Sequence, residues 1–146
     1  MRKIFLNSMV LLTLILFSGC SIGILEKRDE VISNNDVKTV ILNYLDALSN
    51  KDLEGIKKYS SNEWSSHLTN EFIPILEITL ESAKLIKYEI RENASDRVLV
   101  DTEVEIICYE NSSPSGDWIP GKSISTKSFE LVKVDNEWKI NGWGVY

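Results

Sequence analysis

Residues 97–108 read RVLVDTEVEIIC and alternate between two kinds of side chain along their whole length. One set of alternate positions is almost entirely apolar and consists of Val98, Val100, Thr102, Val104, Ile106 and Cys108. The other set carries the carboxylates of Asp101, Glu103 and Glu105. A period of two is typical of an antiparallel strand that faces the core on one side and water on the other. The stretch therefore predicts a strand in which Cys108 is a buried core residue.

The residues before this strand have the period of amphipathic helices. Apolar side chains follow the i, i+3, i+4, i+7 spacing at Val37, Val40, Ile41, Tyr44, Leu45 and Leu48. A short second helix is predicted from Asp52, and Ser60 and Glu63 have the spacing of a capping box for a third. The third helix is indicated by apolar residues at i, i+4 and i+8, which are Trp64, Leu68 and Phe72.

The next segment, residues 74–83 (PILEITLESA), fits a helix or a strand equally well. Pro74 lacks a backbone N–H donor, so it is expected to start a new segment and not to continue the preceding helix. After Ala83 the period is again two, and Ile86, Tyr88 and Ile90 are predicted to share one face of a strand.

The remainder of the chain predicts turns and two more strands. Residues 110–121 (ENSSPSGDWIPG) are rich in Ser, Pro and Gly and form a predicted loop. A strand over 123–134 is followed by a tight turn at residues 135–136 and a last strand that begins EWKING. Helices followed by an antiparallel meander indicate an α+β class in which N-terminal helices pack on one face of the sheet.

Three stretches together resemble the nuclear transport factor 2-like superfamily: VILNYLDALSNKDLEGIKKYSS, RVLVDTEVEI and FELVKVDNEWKINGW. The resemblance covers about residues 36–146, and the predicted domain spans 35–146. It implies a curved antiparallel sheet of about four strands wrapped on helices to form a cystatin-like cone, often with a pocket and often dimeric. It does not imply one function, because this fold carries many.

The N-terminus predicts where the protein works. Arg2 and Lys3 precede an apolar run at residues 9–17 (MVLLTLILF), which is the pattern of a secretory signal. The following FSGC, ending at Cys20, resembles the lipobox of bacterial lipoproteins, with Phe17 where leucine is usual. That resemblance implies a signal peptide at 1–19, cleavage between Gly19 and Cys20, and diacylglycerol and palmitate on Cys20.

Residues 20–34 then form a lipidated N-terminus and flexible tether, whose EKRDE stretch has few apolar residues. The alternative is an uncleaved anchor within residues 4–25, since a bilayer is spanned by roughly 20 apolar residues. Both alternatives place the domain outside the cytoplasm at the cell membrane.

Charge and composition argue against several classes of partner. The net charge of −6 argues against nucleic-acid binding, which needs a basic face. One histidine and one cysteine besides Cys20 do not make a tetrahedral metal set, and we expect no metal and no cofactor. The carboxylates at 101, 103 and 105 fit a solvated outer sheet face better than a cation site, because no calcium-loop motif accompanies them.

Three residues are candidates for a binding or catalytic site. Trp118 lies in the polar loop, where it contacts a ligand or partner or else folds back over the edge of the sheet. Trp64 is expected to face the sheet near the mouth of the cone, whereas Trp138 is expected in the core. His67 is either an exposed helix residue or a catalytic group, since histidine is a common acid–base residue in enzymes.

The leading hypothesis is a non-catalytic binding or interaction module for an unknown protein or small-molecule ligand. The first alternative is a small isomerase-like or dehydratase-like enzyme with a pocket near His67. The second is a structural homodimer, or a component of an envelope complex.

Overall fold

The computed structural model describes residues 34–114 and 118–144. Its helices are α1 (Asn34–Asn50), α2 (Leu53–Tyr59), α3 (Asn62–Ser66) and α4 (Phe72–Thr79). Its strands are β1 (Leu80–Asn93), β2 (Arg97–Cys108), β3 (Gly121–Val134) and β4 (Glu137–Gly144). These strands form one antiparallel sheet in the order β1-β2-β3-β4. The predicted α+β class, with N-terminal helices on a curved sheet, is confirmed.

The predicted signal peptide, the cleavage site at Gly19 and Cys20, and tether residues 20–33 lie outside the described residues. Within the described ranges, every helix is too short or too polar to cross a bilayer.

Helix α1 forms where the apolar spacing predicted it and buries that face against the sheet. Its buried residues are Val37, Ile41, Tyr44, Leu45, Ala47 and Leu48. The Ser49 hydroxyl ties the end of the helix to β1, because it accepts from the Ala83 N–H at 2.9 Å and lies 3.2 Å from the Ala83 carbonyl. The helix ends before Lys51, whose positive φ of 57° breaks the helical path.

The predicted third helix is divided into two. The Ser61 side chain, and not that of Ser60, caps α3 by accepting from the Trp64 N–H at 3.0 Å. Helix α3 ends at Ser66, so the prediction that Trp64, Leu68 and Phe72 lie on one helix is wrong. The three residues have helical spacing, but Leu68 lies in the turn between α3 and α4, where its side chain is buried.

Pro74 lies in the first turn of α4, where backbone N–H groups have no acceptor within the helix. The lack of an N–H at proline therefore removes no hydrogen bond from the helix. The ambiguous segment is therefore helix to Thr79 and strand from Leu80.

Strand β2 behaves as its alternation predicted. All six residues of its apolar set are buried, and we call their side of the sheet the inner face and the opposite side the outer face. Cys108 is a free thiol in the core, and burial raises its pKa. The thiol is therefore held in its less reactive, protonated form.

Strand β1 departs from strict alternation. Its register with β2 shifts three times, between Leu80 and Ser82, between Leu85 and Lys87, and between Ile90 and Glu92. Each shift inserts an extra residue, so the residues paired with the inner face of β2 are Leu80, Ala83, Leu85, Tyr88, Ile90 and Asn93. The prediction that Ile86 shares a face with Tyr88 is wrong, because Ile86 lies at a shift and is 49% exposed. Such bulges bend a strand and increase its twist, which accounts for the curvature of the sheet.

Strands β3 and β4 are joined by the predicted tight turn at Asp135 and Asn136, which both have positive φ. Strand β4 pairs only with residues 128–134 of β3. On the inner face β4 contributes Ile140 and Trp138, and Trp138 is a core residue as predicted.

Candidate functional site: an aromatic cluster on the inner face

Five aromatic side chains, which we call the aromatic cluster, lie together on the helix-covered side of the sheet: Tyr44, Trp64, Trp118, Phe129 and Trp143. The rings of Phe129 and Trp143 are stacked, with centroids 5.2 Å apart and planes only 9° from parallel. Tyr44 meets both of them edge-on at 6.2 and 6.3 Å. These geometries are the favoured ones for aromatic pairs.

A bulge in β4 turns Trp143 toward this cluster. Leu131 pairs with Ile140 and Phe129 pairs with Trp143, so the extra residue lies between Ile140 and Gly142. Ile140 and Trp143 are three residues apart and would face opposite sides in a regular strand. The bulge brings both onto the inner face, where Trp143 can stack on Phe129.

Tyr44 is the polar centre of the cluster. Its hydroxyl accepts a 3.0 Å hydrogen bond from Trp64 Nε1–H, which fixes the Trp64 ring beside the middle of α1. Burial raises the pKa of Tyr44 to about 12, and the bond from Trp64 only partly opposes this. Tyr44 is therefore uncharged at physiological pH and rigidly placed.

The three candidate residues predicted from the sequence differ in burial and in the side chains that they contact. Trp118 folds back and lies half-buried with its ring centroid 6.3 Å from that of Trp143. Trp64 is half-buried beside Tyr44 and thus faces the interior as expected. His67 is exposed at the end of α3, where its ring lies 6.3 Å from that of Trp64. Their role in binding stays a prediction.

The sequence pattern does not identify Tyr44, Phe129 and Trp143 as members of a site. It indicates Tyr44 only as one apolar position of a helix, and it does not assign the two faces of the strand that contains Phe129. The facing of Trp143 depends on the bulge, and only the neighbouring Gly142 signalled that the alternation could slip.

Polar groups on the inner face adjoin the cluster. Trp143 Nε1 and Ser123 Oγ are buried and have no hydrogen-bond partner within the described residues. Ser123, Ser125 and Lys127 precede Phe129 at alternate positions of β3 and pair with inner-face residues of β2. Burial lowers the pKa of Lys127. The apolar cluster is thus continued by a short row of donors.

Carboxylates are on the other side of the sheet. Asp101 pairs with Arg91 at 3.6 Å and Glu103 with Lys87 at 3.8 Å on the outer face. In the four described strands, no inner-face position identified from the pairing is occupied by Asp or Glu. Over residues 34–114 and 118–144, no group of three possible metal ligands occurs.

No family model matches the chain, and no curated protein is significantly similar to it in sequence. Solved structures do match. One is a protein of unknown function with a cystatin-like fold from Nostoc punctiforme, with a TM-score of 0.58 and 9% identity over 77% of this chain and 89% of that one. The fold is nuclear transport factor 2-like.

Two further structures agree with this fold. A nuclear transport factor 2-like superfamily protein from Salmonella enterica serovar Typhimurium has a TM-score of 0.56 and 12% identity, covering 75% of this chain and 87% of that one. A candidate ketosteroid isomerase from Shewanella frigidimarina has a TM-score of 0.54 and 12% identity, covering 75% and 94%. At these identities the likeness establishes the fold alone.

Proposed function

We propose that this protein is a lipid-anchored extracytoplasmic domain that binds a small apolar or aromatic ligand at the aromatic cluster and performs no acid–base chemistry. The observation that carries the ligand site is the stacked Phe129–Trp143 pair beside the half-buried Trp118. Such rings offer large rigid contact area at low entropic cost, and the Trp143 N–H, which has no partner among the described residues, offers one directional hydrogen bond.

The donor inside the cluster determines what kind of ligand fits best. Trp143 Nε1–H is buried and has no hydrogen-bond partner among the described residues. A ligand with a flat apolar body and an acceptor group, neutral or anionic, would therefore satisfy this donor.

The absence of inner-face carboxylates favours binding over the isomerase alternative. Ketosteroid isomerases use an aspartate base and a protonated aspartic acid in an apolar site. The inner-face positions of the described strands carry no such acids. His67 is exposed, and its ring makes no ion pair with a carboxylate of the described residues. These arrangements support a site that holds a ligand and does not transform it.

The anchor is supported by the lipobox-like FSGC stretch and by charge. Loss of Arg2 and Lys3 with the signal peptide would change the net charge from −6 to −8. An anionic leaflet repels an acidic domain, so lipid chains must supply the attachment, each buried methylene contributing about 0.8 kcal/mol.

The ligand site can be tested with anilinonaphthalene sulfonate, a fluorescent probe with an aromatic body and an anionic group. Trp118→Ala removes the half-buried ring that contacts Trp143. We expect the probe's dissociation constant to increase about fivefold, because an aromatic contact contributes about 1 kcal/mol. Fluorescence titration of wild type and variant gives both constants.

Ile124→Ala is the matched control, since Ile124 is 62% exposed and its β2 partner Glu105 belongs to the outer-face set. Near-ultraviolet circular dichroism confirms that both variants keep native packing. Equal probe affinity in the wild type and Trp118→Ala, or an equal loss in the control, would show that the probe does not bind at the cluster.

A further inference from the structure

Helix α4 exposes an apolar surface that the ligand site does not use. Leu76 and Thr79 are buried on one side of the helix. Pro74, Ile75 and Ile78 lie on the other side, and the two isoleucines are 49% and 69% exposed. Residues three and four apart share a helix face, so these three side chains form one continuous surface, which we call the α4 ridge.

Acidic side chains surround the α4 ridge. Glu71 is at the N-cap of α4 and makes no side-chain capping bond there. Glu77 projects beside the ridge, and Glu81 follows it at the start of β1; all three residues are exposed. Lys51 lies near Glu81, but its ammonium donates to the backbone carbonyls of Ser49 and Glu81. The surface is thus apolar in the middle and negatively charged at its edges.

The ridge lies at the end of the domain opposite the entry of the N-terminal segment. Ser49, near the C-terminal end of α1, binds Ala83 at the start of β1, whereas Lys38 near the other end lies over the Tyr88 ring. Helix α1 has 17 residues, about 25 Å in length. Since α4 leads directly into the start of β1, it lies at the C-terminal end of α1, away from Asn34.

Charge selects among three occupants. An anionic leaflet would be repelled by the acidic edges. A second copy would place acidic edges against acidic edges, which is destabilising. A cationic amphipathic segment complements both the apolar centre and the negative edges.

We propose that the α4 ridge is a docking surface for a cationic amphipathic segment of a partner protein. The proposal is independent of the ligand site and of the proposed anchor. These proposals can therefore fail separately, because the variants that test them change different surfaces.

The test uses the full-length protein in phosphatidylcholine nanodiscs and a synthetic amphipathic helix of leucine and lysine as the probe. The paired substitution Ile75→Ser with Ile78→Ser removes the apolar surface without touching the buried side of α4. We expect at least a tenfold loss of peptide affinity by fluorescence anisotropy, with empty nanodiscs as the blank. Glu71→Lys with Glu77→Lys is expected to weaken binding about as strongly.

Ile124→Ser is the matched control, because Ile124 is equally exposed but lies on β3, and it should bind the peptide as wild type does. A leucine–glutamate helix should not bind. The proposal is overturned if the ridge variants bind the cationic peptide as tightly as wild type, or if the control loses as much affinity. It is also overturned if the ridge substitutions abolish self-association or attachment to anionic nanodiscs and leave peptide binding unchanged.

Discussion

At the scale of single residues, Tyr44 shows how a buried polar group is stabilised in this core. Its side chain is almost fully buried, and its hydroxyl accepts from Trp64 Nε1–H. The pKa is raised from 10.0 to about 12 chiefly because burial disfavours the phenolate. The neutral form stabilises the fold at neutral pH, and ionisation costs free energy.

Tyr44→Phe should change the alkaline stability of the protein. The folded state keeps the Tyr44 proton when the unfolded chain has lost it, so this contribution is complete below pH 10 and is lost as the pH rises through about 12. The wild type should lose roughly 3 kcal/mol of unfolding free energy over this window from Tyr44. The variant should lose less unfolding free energy over the same window. At neutral pH it should be about 1 kcal/mol less stable than the wild type, because the Trp64 N–H loses its acceptor.

Urea unfolding at several pH values measures both effects. Tyr88→Phe is the control, because Tyr88 is a half-buried inner-face tyrosine beneath the Lys38 ammonium. This control shows how the loss of a tyrosine hydroxyl that has no bond to Trp64 affects the same measurements. If Tyr44→Phe and the wild type show parallel slopes above pH 10, the hydroxyl does not titrate as a buried group.

At the scale of elements, the sequence predicted those parts in which one face alone decides burial. Strand β2 alternates without interruption and α1 keeps one apolar stripe, so period and burial agree. Strand β1 contains bulges, and each bulge reverses the face of every later residue. No local residue pattern in the sequence predicts these register shifts. Trp118 lies in a loop and Trp64 on a helix, so the sequence identifies both as candidates without knowledge of strand register. A bulge orients Trp143, so the sequence does not assign it to the site.

Helix α2 depends on a cap that leaves no room for a side chain at its third residue. Gly55 N–H donates to Asp52 Oδ1 at 3.0 Å. A Cβ at Gly55 would collide with the Asp52 carboxylate and would lie only 3.1 Å from the Ala47 Cβ. Alanine is normally about 1 kcal/mol better than glycine within a helix, but here it must displace the cap, which contributes about 1 kcal/mol.

Since these two effects cancel, the close approach to the buried Ala47 side chain decides the sign, and Gly55→Ala is expected to destabilise the protein although it raises helix propensity. In an Asp52→Ala background the same change should cost less, or should stabilise, because the colliding carboxylate is gone. Urea unfolding of the four proteins in this double-mutant cycle measures the coupling. Additive effects would show that the cap and the glycine act independently.

At the scale of the whole molecule, the proposed anchor, ligand site and docking surface lie in different places. The described chain begins at Asn34, the aromatic cluster lies around Tyr44 near the middle of α1, and the α4 ridge lies beyond its C-terminal end. Helix α1 therefore separates Asn34 from the end of the domain that carries the ridge. The three proposals concern surfaces that do not overlap, so each can be tested without changing the others.

Anchoring and folding should be separable in this protein. The buried core of the described residues extends along the chain from Val37 to Ile140. Cys20→Ser removes the thiol that would carry lipid, so the precursor should stay uncleaved and should not incorporate a labelled palmitate analogue. Its Tm, followed by tryptophan fluorescence in detergent, should equal that of the wild type. A Cys20→Ser protein that is still processed and lipid-labelled would contradict the anchor, whereas a lower Tm would show that residues before α1 contribute to the fold.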